Sequence, residues 1–562
     1  MHYPLYPKRT TINLDGIWDF RLDQRKLIED ITQDDFHFDD LMSVPGCFDS
    51  NNKYKHLRGT AIYRTRFRLE ENTQDALLKL DGFGLQCRLW LDGNPIGSSK
   101  LPYTAVEFHT GKLAIGDHEL VAALDNRLDA QRMKLFLDYY DFYAFGGFYR
   151  SVSLQVLPKN ALSRVQVHTL DWKSGRVSMD FIFEGEAPSS VKYRFDTESE
   201  FRQADPRQTV EAIVPAFRVW SPDHPELHTL EVQINDDIII ERFGIRQVST
   251  NDGKIMLNDK PIYLLGVNRH QSHPEFGAAE PEQLEIEDLQ NIRRLNCNFI
   301  RGCHYSQGQR FLDTCDRMGM LVWEESLGWG NRPDQMADPE FIELQKEQTR
   351  LMVRNSINHP SVIIWAFLNE FHSQSKEGHD IAQALVKTIK DEDKSRLVTF
   401  ACNHTTDDIS NEFTDIISVN SYPAWICGDT DERRQDRAPW IKKRFSDIAK
   451  HFRSCQPPDK PMIVSEIGAS CLYGYHDDES IQWTEEFQAA FFRDAITEIF
   501  AIPDYCGLTL WHYCDAKTFV LKAGDIRSKP LAINAAGLFD QYRRPKLAAR
   551  TVSDLFSNPP KP

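Results

Sequence analysis

No window of this chain approaches the roughly 18 uninterrupted apolar residues that a membrane-spanning helix needs, so no span is expected. Positive charge is also short. Lys and Arg number 66 against 83 Asp and Glu, for a net charge of −17. That balance argues against nucleic acid or an anionic membrane as partner. CxxC pairs are absent. The 11 cysteines are odd in number and scattered from Cys47 to Cys514, which gives neither a zinc site nor a disulfide framework. The opening MHYPLYPKRTTINLDGIWDF has no apolar core of a secretory leader. With the unpaired cysteines, it sets the expectation of a cytoplasmic protein.

At 562 residues the chain exceeds what one core organises. Residues 1–155 carry short alternating runs, TAIYRTRFRL (60–69), CRLWLDG (87–93) and HELVAALDN (118–126), separated by Gly, Asp and Asn turns. A β-sandwich accommodates many half-buried strands of this kind. Within it, YYDFYAFGGFYRSV (139–152) gathers aromatics around two glycines and Asp141. It is either a glycine-kinked strand or a loop reaching into a neighbouring site. Residues 156–249 alternate with period two again, as in RVSMDFIFEG (176–185), and have the size of an immunoglobulin-like sandwich.

From residue 250 to 562 the texture changes. Short apolar runs alternate with helical patterns. The runs are YLLGVNRH (263–270), CNFIRG (297–302), LVWEE (321–325), VIIWAFLNE (362–370), LVTFACN (397–403), IISVNSY (416–422), MIVSEIG (462–468) and LTLWHYCD (508–515). Eight strands separated by helices predict a (β/α)8 TIM barrel, and a doubly wound sheet lacks its glycine-rich phosphate loop.

A barrel brings all its strand ends to one mouth. The residues there are Arg269 and His270; Arg301, His304 and Tyr305; Glu324 and Glu325; Asn369 and Glu370; Asn403 and His404; Asn420 and Tyr422; Glu466; and Trp511 with Asp515. Glu324 or Glu325 can pair with Arg269 or Arg301 to hold the rim. His304 and His404 suit orienting hydrogen bonds better than metal ligation, and no compact ligand set predicts a metal or other cofactor. Glu370 and Glu466 stand apart. On the fourth and seventh strands they can face each other over a bound sugar, one to donate a proton and one to attack or stabilise the anomeric carbon. Tyr422 can donate its hydroxyl to Glu466. Apolar walls and the charge of Glu466 should raise the pKa of Glu370.

GVNRHQSHP (266–274), NHPSVIIWAFLNE (358–370) and VSEIGAS (464–470) resemble the signature segments of glycoside hydrolase family 2. LDGIWDF (14–20) and FGIRQV (243–248) extend the resemblance over the whole chain. It implies a jelly-roll sugar-binding-like domain at 1–155, an immunoglobulin-like sandwich at 156–249 and a catalytic barrel at 250–562. The implied activity is exo-acting, retaining hydrolysis of terminal β-linked sugars. Relatives are often dimers or tetramers. By the resemblance Glu370 is the acid/base and Glu466 the nucleophile. Asn369 binds the sugar 2-hydroxyl and Tyr422 orients Glu466. Asp141, His270, His304, Trp511 and Asn534 join the substrate-binding set.

The chain is most similar to the β-glucuronidase branch, in DFYAFGGFYRSV (141–152), VNSYPAW (419–425) and LWHYCD (510–515). That branch carries an Asn-x-Lys pair whose lysine meets the uronate carboxylate. Here Asn534 is followed by Ala536 at the lysine position, and Leu531 replaces an upstream arginine. Burying a carboxylate without its ion pair is unfavourable. The expected substrate is therefore a neutral sugar, galactose first. The alternatives are a glucuronide or galacturonide held by Lys529, Arg527 or Lys522 from a shifted loop, and a catalytically inactive carbohydrate-binding protein.

Overall fold

The structure is a computed structural model that describes residues 2–425, 437–519 and 529–561. Two β-sandwiches precede a parallel barrel. In the first, a six-stranded antiparallel sheet faces a four-stranded one. Thr60–Leu69 is the run expected from its alternation, and it pairs along its whole length with Gly116–Asp125. Val152–Val156 lies between Thr11–Asn13 and Ala76–Leu80 in the smaller sheet.

The second sandwich packs a three-stranded sheet on a four-stranded one. His228–Ile234 and Asp237–Phe243 bury every other residue. Their sequences, HTLEVQI and DIIIERF, place alternate side chains on one face of the pleat. This sandwich has a core of its own, built around Val165, Met179, Phe195, Leu230 and Phe243. The first sandwich does not: its interior runs without a break into that of the barrel, from Trp18 and Phe148 through Tyr305 to Trp365.

The barrel strands are Leu264–Arg269, Phe299–Gly302, Leu321–Trp329, Val362–Asn369, a divided fifth strand, Ile417–Asn420, Met462–Glu466 and Tyr505–Leu510. Leu264 lies opposite Gly507, which joins the first strand to the eighth. The fifth strand, expected as one run over 397–403, is split at Phe400. Leu397–Thr399 pairs with the fourth strand and Ala401–Cys402 with the sixth. Phe400 turns aside to pack on Phe367 and Phe371, with ring centroids 5.7 and 4.8 Å away. All eight residues of Val362–Asn369 are buried, as a parallel strand covered on both faces requires.

Helices separate the strands, as the alternation of apolar runs with helical patterns predicts. Pro339–Ser356 is a representative case. Asp338 caps it by accepting from the backbone N–H of Glu340 and Phe341, and Pro339 occupies the first helical position, where no donor is missed. The helix Gln309–Met318 ends at Gly319, whose φ of 69° is left-handed. A Cβ there would sit 2.2 Å from the carbonyl oxygen of Pro222, so glycine is required by close approach as well as by φ. No helix among the described residues is long and apolar enough to cross a membrane.

Candidate active site

Glu370 and Glu466 line one cavity of about 350 Å³ at the mouth of the barrel. Asp141, His304, Asn534, Trp511, Tyr422 and Lys529 line it too. Trp329, Asn403, Asn420, Trp425, Arg444 and Ala536 complete much of the wall. A larger cavity, about 550 Å³, lies between the first sandwich and the barrel, and it contains neither carboxylate.

The two carboxylates sit in unlike surroundings. Glu466 ends the seventh strand, and both its oxygens accept hydrogen bonds. Arg301 donates to Oε1 at 2.5 Å and the Tyr422 hydroxyl donates to Oε2 at 2.5 Å. Glu370 receives one donor, Asn420 Nδ2, at 2.9 Å. Burial, then the negative charge of Glu466, pushes the Glu370 carboxyl up to about 7. One group thus accepts a hydrogen bond on each oxygen, and its neighbour keeps a proton near neutrality.

The backbone at Glu370 is strained. Leu368 and Glu370 have φ of 44° and 50°, the left-handed region that non-glycine residues avoid. Asn369 lies between them. Its Oδ1 accepts from Arg301 at 2.8 Å, and its buried Nδ2 has no hydrogen-bond partner among the described residues. An amide donor fixed in this way can serve a sugar hydroxyl.

Arg301 is wholly buried and organises the floor. Besides Glu466 it donates to Glu325 at 2.9 Å and to Asn268 at 3.0 Å. Burial opposes the charge of Glu325, but Arg301 and His304 outweigh it and hold that carboxyl below its usual range. The expected rim pairing is therefore present for Glu325 and Arg301. It is absent for the other two residues. Arg269 pairs instead with Glu280 and Asp288. Glu324 points out of the barrel, where Gln307 N and Ser356 Oγ donate to it, and burial pushes it up to about 7.

The remaining candidates divide. His304 Nδ1 lies 3.0 Å from Glu325, and its ring stacks 5.5 Å from Trp511. It lines the cavity as an oriented group. His270 does not line it. It packs edge-on to Trp511 at 5.5 Å and stacks on Phe142 at 5.2 Å. Burial, and then the neighbouring His304, drives its imidazole well below the ordinary range, so it is a neutral supporting ring. Asp141 arrives from the first sandwich on the aromatic segment, which is a loop and not a kinked strand. Thr518 Oγ1 donates to the Asp141 carbonyl at 2.9 Å, and Tyr143 N donates to the Lys517 carbonyl at 3.0 Å. Asn534 lines the cavity beside Ala536. Lys522 and Arg527 lie outside the described residues. Gly468, two residues past Glu466, leaves no room for a side chain: a Cβ would meet the Trp511 carbonyl oxygen at 2.0 Å.

Among the described residues, two groups of side chains have the proximity to hold a metal, His270–Cys303–His304 and Asp313–Asp316–His359. Both are engaged internally. His304 is held by Glu325, while Asp316 accepts from His359 at 2.6 Å and Asp313 is paired with Arg242.

The pairings of Arg301 with Glu466 and of Asn420 with Glu370 are not predictable from strand ends alone. Both residues fall at the mouth by sequence, but the partner each takes depends on the direction of its side chain across the barrel. Trp329, Trp425 and Arg444 are not among the expected residues: the third strand runs on to Trp329, four residues past the expected end at Glu325, Trp425 lies beyond the sixth strand, and Arg444 is on a helix.

A barrel of this connectivity with two unlike carboxylates in one cavity at its mouth holds the groups that glycosidic-bond hydrolysis requires. Residues 248–558 match the model for glycosyl hydrolases family 2, TIM barrel domain, and the chain belongs to that family. It is an O-glycosyl hydrolase acting on β-linked sugars. The β-glucuronidase of Streptococcus agalactiae serotype V is 25% identical over 97% of this chain and 96% of its own. That of Canis lupus familiaris is 25% identical over 98% and 91%. Among solved structures, the GH2 β-galacturonidase from Eisenbergiella tayi bound to galacturonate superposes with a TM-score of 0.88 at 27% identity, over 99% of this chain and 98% of that one. These relatives correct one expectation. They lend no support to a neutral β-galactoside, and the uronide alternative fits them better.

Proposed function

We propose that the chain is an exo-acting, retaining β-glycosidase that removes terminal β-linked uronic-acid residues, glucuronide or galacturonide. The observation that carries the reading is the unlike pair in one pocket: Glu370, raised to about 7, and Glu466, held on both oxygens by Arg301 and Tyr422.

In the first step a Glu466 oxygen attacks the anomeric carbon. The bond from that carbon to the leaving oxygen breaks, and the Glu370 proton passes to the leaving oxygen. In the second step water attacks the same carbon, gives its proton to Glu370 and releases Glu466. Asn369 Nδ2 is placed for the 2-hydroxyl, Trp511 offers an apolar face to the ring, and Asp141 and Asn534 meet the far side of the sugar. Arg301 and Tyr422 donate to Glu466 before substrate arrives, so its orientation costs no reorganisation during the reaction.

Aryl β-glucuronide, β-galacturonide and β-galactoside assayed side by side test the substrate. A uronide is expected to be turned over at least ~100-fold faster in kcat/KM, the scale of discrimination that a buried charge pair provides. A faster galactoside would restore the neutral-sugar reading, which rests on Ala536. Proton NMR of the first-formed sugar tests the stereochemistry: retention gives the β-anomer and an initial α-anomer refutes it.

A further inference from the structure

We propose that Lys529 recognises the substrate's uronate group, exchanging Asp141 for the sugar carboxylate when substrate binds. The inference rests on the uronide reading and supplies the cation which that reading lacks at Ala536.

Lys529 lies on the segment that returns to the pocket ahead of Asn534, and its side chain is only 14% exposed. Its amine is ion-paired with Asp141 in the pocket wall. Burial pushes that amine down to about 8. Ala536, Asn534 and Trp511 form the same part of the wall. Lys529 and Ala536 line the same cavity, and the amine sits on a flexible four-carbon stem.

Arg444 is the other lysine or arginine among the described residues lining the pocket. It stands on a different side. It donates to Ser421 Oγ at 3.3 Å and to Thr405 Oγ1 at 2.9 Å, next to Asn420, which holds Glu370. Arg444 is thus tied to the sixth-strand side that carries Asn420, and Lys529 to Asp141. Arg301 is committed to Glu466 and Glu325 and does not line the pocket.

The Asp141 pair makes the exchange selective. A neutral sugar brings no anion to draw Lys529 away, so the pair stays closed across part of the pocket. A uronate offers a replacement carboxylate, and the freed Asp141 can accept from sugar hydroxyls. Asp141 and Lys529 come from different loops that meet at one wall of the pocket, one from the first sandwich and one from beyond the eighth strand.

The test compares kcat/KM for aryl β-galacturonide and β-glucuronide with that for the neutral galactoside and glucoside sharing the leaving group. The enzymes are wild type, Lys529→Met, Lys529→Arg and Arg444→Met. In Lys529→Met the uronide-to-neutral ratio is expected to fall about 10²–10³-fold, the effect of removing one partner of a buried charge pair. Lys529→Arg should restore part of the ratio, and Arg444→Met should lower both substrates alike. Labelling of Glu466 by a neutral 2-fluoro glycosyl fluoride confirms that each variant is folded with an intact site. An unchanged ratio in Lys529→Met, or a collapse in Arg444→Met instead, overturns the role of Lys529 while sparing the uronide reading. Faster neutral turnover by wild type overturns both.

Discussion

One side of the pocket is built from barrel strand ends and the other from loops, and the two are held by different forces. On the strand side, Arg301, Asn369, Asn420 and Glu466 are fixed by parallel pairing and by hydrogen bonds to one another. On the loop side, Asp141, Lys529 and Asn534 come from segments with little regular structure. A bond-breaking centre needs groups placed within tenths of an ångström, which a rigid sheet supplies. Selection among sugars needs only a charge of the right sign at the right wall, and a loop can bring it.

The sharpest way to break this contrast is to remove a strand-side group and ask whether the loops can compensate. Glu466→Ala should lower kcat by at least ~10⁴-fold, the scale seen when a nucleophile is deleted. It should also abolish labelling by a fluorosugar, read by intact-protein mass spectrometry. Glu370→Gln should cost about 10³-fold on glycosides with poor leaving groups and far less on activated aryl glycosides, because only the former need the proton. Equal losses on both would remove Glu370 from the role of proton donor.

Tyr422→Phe deletes one hydrogen bond to a carboxylate and should cost about 10–100-fold in kcat/KM. Wild-type kcat/KM should fall as pH rises through about 7, where Glu370 loses its proton. Asn420 favours the charged form of Glu370, so Asn420→Ala should move that limb to higher pH.

Glu324 gives the smallest effect and the cleanest contrast. It too is raised to about 7, but it faces the larger cavity outside the barrel. Glu324→Gln should leave the pH–rate profile in place. Its folded pKa lies above the ordinary 4.5, so wild type loses stability as pH rises from 4.5 through about 7. The variant's melting temperature should match wild type at pH 4.5 and exceed it increasingly up to about pH 7, by thermal unfolding across that range.

The strand side is also the legible one. Val362–Asn369 declares itself as an apolar run, and Glu370 follows at the barrel mouth without any knowledge of its neighbours. The division of the fifth strand is not legible, because it depends on Phe400 finding Phe367 and Phe371. Nor is the position of Glu324 against Glu325. Adjacent residues on a strand point to opposite faces, and a register shift of one exchanges the buried ion pair for the outward carboxyl. On the loop side, Ala536 could be aligned with a missing lysine, but Lys529 was one of three cations that a shifted loop could supply. No periodicity ties 529 to Asp141, 388 positions earlier in the chain; only the folded sandwich brings them together.

The aromatic loop that carries Asp141 is stitched to the barrel by Thr518 and Lys517, and the two parts share one interior. The two carboxylates and Lys529 are therefore encoded with the barrel, and Asp141 with the first sandwich. A hybrid joining this barrel to a relative's first sandwich would keep the bond-breaking residues and receive the other parent's partner for Lys529.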